Sequence, residues 1–204
     1  MQKLIDLSSN NPDVTSWAMV KAVGFEGVMN RATIGLNQVD HRFIVRTLAS
    51  HASGLLVGAT HLFYPSDDPK LQAQQFAQTV KRFSPLLLAV DLEDVMKNGK
   101  DDWTGITIGP DMLNAFLDEL STFFKGDCIP YGSASFLNQY FPNYPFKKLW
   151  VADYSQDPPR LPSACPTYTL WQTGQGEVAG VQGPVDLDQT ADGVKLEDLF
   201  CAAL

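Results

Sequence analysis

The spacing of apolar residues alternates between a strand-like period of two and a helix-like period near 3.6. Lys3-Leu4-Ile5-Asp6-Leu7 reads as a short strand running into the turn-prone Ser8-Ser9-Asn10-Asn11-Pro12. A helix carrying Trp17, Val20 and Val23 follows, with Asp13 or Thr15 as its cap and Gly24 as its stop. Residues 25–30 predict a second strand, 40–53 a helix stopped by Gly54, and 55–62 a third strand. That third strand is apolar throughout, so both faces should be buried. Pro69 opens a helix carrying Leu71, Phe76 and Val80. Residues 85–90 form the most hydrophobic strand and end in Asp91-Leu92-Glu93. Residues 94–108 read as a long polar loop around Trp103, 110–124 as an amphipathic helix, 129–131 as a fifth strand and 133–140 as a short helix. Further strands at 148–154, 167–172 and 185–187 are joined by loops rich in Pro and Gly, and a last helix is predicted over 195–203.

Strand–helix alternation implies parallel strands with right-handed crossovers. Five βα units and three further strands make about eight strands, enough to close a barrel. The chain has 204 residues, fewer than the ~250 of a regular eightfold β/α barrel. The expected architecture is therefore an α/β irregular barrel, its last third poor in helices. One domain should span 1–204, with no internal repeat, linker or separate binding module. The three cysteines, Cys128, Cys165 and Cys201, allow at most one internal disulfide. With three histidines at 41, 51 and 61, they show no metal-ligand spacing. No metal or other cofactor is expected.

Charge narrows the partners. Acids outnumber bases 23 to 15, for a net charge of −8, which argues against nucleic acid and against an anionic membrane surface. No apolar run reaches the ~18 residues of a membrane-spanning helix. The first residues lack the apolar stretch of a secretory leader. The expectation is a monomer without stable membrane association, made in the cytoplasm without a signal peptide.

In parallel β/α folds the ligand site lies at the C-terminal ends of the strands. Those ends carry Asp6, Arg31, His61, Tyr64, Asp91, Glu93, Tyr131, Trp150, Tyr154, Trp171 and Asp186. Asp91 and Glu93, two apart on a strand, face the same way with Cα atoms roughly 6.6 Å apart. Such a pair repels, and one member can keep its proton as a general acid while the other stays charged. Glu93 follows the apolar run 86–90 and is the expected proton holder. The alternative reading makes both of them solvated acids that start a loop. The aromatic residues offer platforms for the apolar faces of sugars. Asp188 reads as a turn acid and Trp17 as core. No phosphate-binding glycine loop and no nucleophile elbow is present.

These fragments resemble the glycoside hydrolase family 25 lysozymes, the muramidases common among phage endolysins. The resemblance runs from residue 5 to about 189. Ile5-Asp6-Leu7-Ser8, Arg31-Ala32-Thr33 with Gly35, Gly58-Ala59-Thr60-His61, Val90-Asp91-Leu92-Glu93, Leu149-Trp150-Val151-Ala152 with Trp171-Gln172, and Gly183-x-Val185-Asp186 fall in the family's order and spacing. Arg31 replaces a lysine of the pattern, Ile34 a glutamate and Thr60 a tyrosine, while Asp153 stands where the family often has a basic or aromatic residue. The resemblance implies cleavage of the β-1,4 bond between N-acetylmuramic acid and N-acetylglucosamine in bacterial peptidoglycan, on the wall side of the membrane. It puts Glu93, Asp91, Asp6 and Asp186 on the catalytic positions. Arg31, His61, Tyr64, Tyr131, Trp150, Tyr154 and Trp171 are the expected substrate-binding residues. It also implies a holin-like release factor as a functional partner. Two rivals stand beside it: a barrel that binds glycan without cutting it, and an acid-cluster metal hydrolase.

Overall fold

The computed structural model describes residues 1–155 and 157–204. Eight strands close a barrel: β1 (Lys3–Leu7), β2 (Phe25–Ile34), β3 (Leu56–Leu62), β4 (Leu86–Asp91), β5 (Ile129–Ser133), β6 (Trp150–Ala152), β7 (Leu170–Glu177) and β8 (Pro184–Thr190). Each pairs with the next in chain order, and β8 returns to pair with β1. The pairs from β1 to β7 are parallel. β8 runs antiparallel to both of its neighbours.

Helices α1 (Trp17–Ala22), α2 (Phe43–Ala52), α3 (Pro69–Val80), α4 (Gly109–Ser121) and α5 (Ala134–Tyr140) follow β1 to β5 in turn. Five βα units thus precede three strands with no α-helix between them among the described residues, which is the predicted irregular barrel. The start of α1 is set by Ser16 and not by Asp13 or Thr15: its hydroxyl accepts the Met19 N–H at 3.2 Å. Asp68 caps α3 by accepting the N–H groups of Lys70 and Leu71 at 2.9 and 3.0 Å, just ahead of Pro69. None of these helices is long and apolar enough to cross a membrane.

Side chains facing the barrel interior form a compact apolar plug. Leu4, Met29, Leu87, Ala89, Ile129, Trp150 and Leu170 fill it, and Leu196 and Leu199 close its lower end. Gly58 belongs to this layer: a Cβ there would lie 2.2 Å from Met29 Sδ and 2.9 Å from the Leu87 carbonyl. The second, larger core lies between the strands and the helices.

Two elements differ from expectation. Residues 195–203 do not form an α-helix. A 3-10 turn, Leu196–Leu199, leads into a strand, Phe200–Ala203, paired with Leu86–Leu87 and with Phe124–Lys125. The apolar residues there plug the barrel and extend an edge, so a helix-like spacing serves another purpose. The polar stretch 94–108 is not merely a loop. It folds into a two-stranded ladder, Met96–Lys97 against Lys100–Asp101, and then drops Trp103 into the core with no exposed surface. The indole packs edge-on against Phe136 at 5.0 Å between centroids and contacts Phe63, Tyr140 and Phe141.

Candidate active site

The polar residues that end the inward-facing rows meet at one mouth of the barrel. On β1 the row is Leu4, Asp6; on β2, Met29, Arg31; on β4, Leu87, Ala89, Asp91; on β5, Ile129, Tyr131; on β7, Leu170, Gln172. Period two carries each strand from the apolar plug to a polar mouth. β8 contributes from its start, because it runs the other way: Asp186 pairs with Asp6 and Gln175. The mouth is a cleft of about 360 Å³ lined by Asp6, Arg31, Thr60, Asp91, Glu93, Tyr131, Trp150, Tyr154, Gln172, Gln175 and Asp186, together with Leu7, Ser8, Asn10 and Asn11. A larger cavity, about 490 Å³, lies on the flank beside α4. Its charged residues are Asp118, Asp127, Lys147 and Lys148, with Lys148 paired to Asp127 at 3.1 Å. It gathers no set of carboxylates, so the mouth cleft is the candidate site.

Crowding of acids dominates the electrostatics there. Burial raises the Asp6 carboxyl to about 8, with Asp186 and Glu93 adding repulsion while the Gln172 N–H and Arg31 oppose. Burial also holds Asp91 well above the usual carboxylate range, reinforced by Glu93 and Asp6. Its Oδ1 is buried and accepts no hydrogen bond among the described residues. Asp188, one step deeper on β8, is raised by burial and then by Asp6. Its Oδ1 accepts the Trp150 indole N–H at 2.9 Å, while Oδ2 has no partner among the described residues. Asp188 is thus a buried acid beneath the site and not the expected turn acid. Asp186 is raised by burial, with the Gln175 amide opposing.

Glu93 stands apart. It sits exposed on the rim, two residues beyond Asp91. Partial desolvation raises its carboxyl, Arg31 opposes, and Asp186 and Asp94 add to the rise. Contrary to expectation, the apolar run 86–90 therefore does not make Glu93 the stronger proton holder of the pair; Asp91 is raised further. The apolar run ahead of it buries Asp91 at the strand's end, and Glu93 has already left the barrel.

Arg31 lies along the cleft wall. Its Nε is 3.3 Å from Asp40 Oδ2, and its Nη2 donates to the Ser9 hydroxyl at 3.1 Å. Burial works against the Asp40 charge, but the N–H groups of Arg42 and Ser9 and the Arg31 guanidinium hold its carboxyl below the usual range. Opposite Arg31, the Tyr131 and Trp150 rings meet at 4.8 Å and 65°. Tyr154, 57% exposed, stands at the edge. Gln172 ties this wall to the acids: Oε1 accepts both the Tyr131 hydroxyl at 2.8 Å and the Tyr154 hydroxyl, and Nε2 donates to Asp6 Oδ2 at 2.5 Å.

Of the predicted residues, the structure brings Asp6, Asp91, Glu93, Asp186, Arg31, Tyr131, Trp150 and Tyr154 together at this cleft. It does not bring His61, Tyr64 or Trp171 there. His61 is fully buried on the outer face of β3, with Nδ1 2.7 Å from the Thr33 hydroxyl, Nε2 3.0 Å from Gln72 Oε1, and its ring stacked on Phe116. Burial lowers its pKa to about 4, so it is a neutral core residue. Trp171 points outward and donates to the Asp153 carbonyl at 2.8 Å. Tyr64 lies beyond β3, half-buried beneath Lys97. In both strands the neighbour faces the cleft instead: Thr60 beside His61, and Gln172 beside Trp171. Strand parity was the signal that identifies these neighbours, since a step of one residue changes the face.

The three cysteines are free. Asp153 is buried and turned away from the cleft. Burial opposes its charge, but Ser155 and Arg160 donors hold it well below the usual range.

An eight-stranded barrel with clustered carboxylates and aromatic rings at its mouth has the make-up of a carbohydrate-active barrel. The family model described as "Glycosyl hydrolases family 25" matches residues 5–181, and the chain belongs to that family. It is 28% identical over 184 residues to Lysozyme M1 of Streptomyces globisporus, covering 84% of this chain and 62% of that relative. The chain thus spans about six-tenths of that relative's length. Among solved structures it is similar to the bacterial lysozyme from Streptomyces coelicolor, with a TM-score of 0.84 and 26% identity over 97% of this chain and 95% of that one. It is also similar to the CTP1L endolysin, with a TM-score of 0.75 and 27% identity over 94% of this chain and 67% of that one.

Proposed function

We propose that this chain is a peptidoglycan hydrolase that cleaves the β-1,4 bond from N-acetylmuramic acid to N-acetylglucosamine. The observation that carries this reading is the division of labour at the end of β4: Glu93 exposed at the rim, with Asp91 half-buried behind it in the same cleft. An exposed carboxyl whose pKa is raised can meet a glycosidic oxygen and protonate it. The leaving sugar departs as an alcohol, and positive charge develops at the muramic anomeric carbon. Asp91 and Asp186 line the same cleft and are suited to orient the 2-acetamido group. Its carbonyl oxygen would attack the anomeric carbon as the leaving bond breaks. Water then opens the cyclic intermediate and returns its proton to Glu93. Tyr131, Trp150 and Tyr154 supply the aromatic wall for the sugar faces. Arg31 supplies the cation of the cleft.

A lytic role of the endolysin type is the finer part of the proposal, supported by the likeness to the CTP1L endolysin. The deciding experiment is mass spectrometry of digested peptidoglycan. Reducing ends on muramic acid are expected. Ends on glucosamine, or anhydro ends, overturn the bond assignment; wall binding without any product overturns hydrolysis. Activity lost to EDTA and restored by a divalent cation would favour an acid-cluster metal hydrolase instead.

A further inference from the structure

Gln172 is 3% exposed, yet it touches three groups of the cleft. Its amide can lie in two orientations that differ only in which end faces Asp6. In the observed one, Nε2 donates to Asp6 Oδ2 at 2.5 Å, and Oε1 takes the protons of Tyr131 Oη at 2.8 Å and of Tyr154 Oη. This orientation needs a charged Asp6, or at least an acceptor there. In the reverse orientation Oε1 faces Asp6 and can only accept, so Asp6 must bring a proton. Nε2 then offers its two N–H groups to the two tyrosine oxygens. Each end of the Gln172 amide keeps a partner in either orientation.

We infer that Gln172 is a positioning residue that couples the charge of Asp6 to the hydrogen-bond direction of Tyr131 and Tyr154. When Asp6 is charged, both hydroxyl protons are committed to Gln172, and the tyrosine lone pairs face the cleft. When Asp6 takes a proton, the amide turns over and both hydroxyl protons are released toward the cleft. The wall opposite Arg31 thereby changes from acceptor to donor. On the reading of the site given above, on which this consequence rests, that change selects between the N–H and the carbonyl of a sugar's acetamido group.

The surroundings suit such a relay. Asp6 faces Asp186 and Asp188 of β8, Asp91 of β4 and Glu93 just beyond it, Arg31 of β2, and the two tyrosines through Gln172. Burial and the neighbouring acids raise the Asp6 carboxyl to about 8, so both of its states fall within the range of ordinary solution pH. Burial and the same acids hold both phenols above their usual range, so each keeps its proton while Asp6 titrates.

The test needs no substrate, and so separates this coupling from the reaction assigned to the site. Protein labelled with carboxyl-13C aspartate is titrated by NMR, with the Asp6 resonance identified by its absence in Asp6→Asn. In Gln172→Met the charged form loses its donor, and the Asp6 midpoint should rise by about one pH unit or more. In Tyr154→Phe a residue that does not touch Asp6 loses one hydroxyl. The midpoint should again rise, by less, because the orientation bound to the carboxylate loses the stronger, charge-reinforced bond. An unmoved Asp6 midpoint in Gln172→Met overturns the inference. So does an unmoved midpoint in Tyr154→Phe, which sits at the exposed edge and decides the matter alone should Gln172→Met not fold. A Gln172 that only bonds Asp6 would move the midpoint in Gln172→Met and leave it unmoved in Tyr154→Phe, so Tyr154→Phe separates coupling from a direct bond. Mass spectrometry of the wild-type products decides the reaction separately.

Discussion

At the residue scale, the cleft separates an exposed acid from half-buried ones, and that separation makes Glu93 the residue to test. Glu93→Gln keeps the shape and removes the proton. The rate on soluble glycan fragments should fall by ~10²–10⁴-fold, while the melting temperature stays close to wild type because the side chain is exposed. Activity within tenfold of wild type would remove Glu93 from the role. Its titration should follow Asp186, which is among the acids that raise it. Asp186→Asn removes that repulsion, so the Glu93 proton leaves more easily. The alkaline limb of the residual activity should then move to lower pH. A limb that stays in place in a pH–rate series would show the two acids to be uncoupled.

At the element scale, strand parity divides the mouth from the core. His61 and Thr60 are adjacent on β3, yet one lies among Phe63, Phe76 and Phe116 and the other lines the cleft. His61→Ala should cost about 2–4 kcal/mol of stability, from the cavity and the unpaired Gln72 and Thr33 groups. Catalysis at the cleft should be nearly unaffected. Chemical denaturation beside steady-state kinetics checks both halves. The depressed His61 pKa adds a pH term. The unfolded chain binds its proton below the ordinary value of 6.5 and the folded chain only near 4, so stability is lost as pH falls through that window. Trp103 makes the matching case for the segment read as a polar loop. Trp103→Ala should cost about 3–5 kcal/mol, since it empties the space between Phe63, Phe136 and Phe141.

At the scale of the whole molecule, the acid cluster sets stability against function. Asp6, Asp91 and Asp188 all have carboxyl groups raised by burial. A raised acid binds its proton more tightly folded than unfolded. Its contribution is therefore complete below the unfolded value near 4 and is lost as pH rises toward the folded one, about 8 for Asp6. Asp188→Asn keeps an acceptor for the Trp150 N–H and removes one of these charges. Its melting temperature should match wild type near pH 4 and exceed it increasingly toward pH 8. Thermal melts across that range check the slope, and a gap that closes with rising pH would contradict it.

The architecture of the barrel was legible in the chain because five helical stretches separate apolar strands, and their caps and stops are local. Gly24 and Gly54, at φ of 95° and 75°, and Asp68 ahead of Pro69 act within a few residues of where they stand. The acids of the mouth were legible for a related reason. A carboxylate after an apolar run marks the point where a strand leaves the barrel. Three things had to wait for tertiary structure. The strands are apolar on both faces, so their alternation carries no sign. Only closure of the barrel turns Gln172 and Thr60 inward and His61 and Trp171 outward. The direction of β8 was equally open, since Asp186 reaches the mouth by beginning an antiparallel strand and not by ending a parallel one. The role of 195–203 depends on an opening at the foot of the barrel for Leu196 and Leu199 to fill. Local spacing determines which segments become strands and helices. Which face looks at the substrate is decided by packing between residues far apart in the chain.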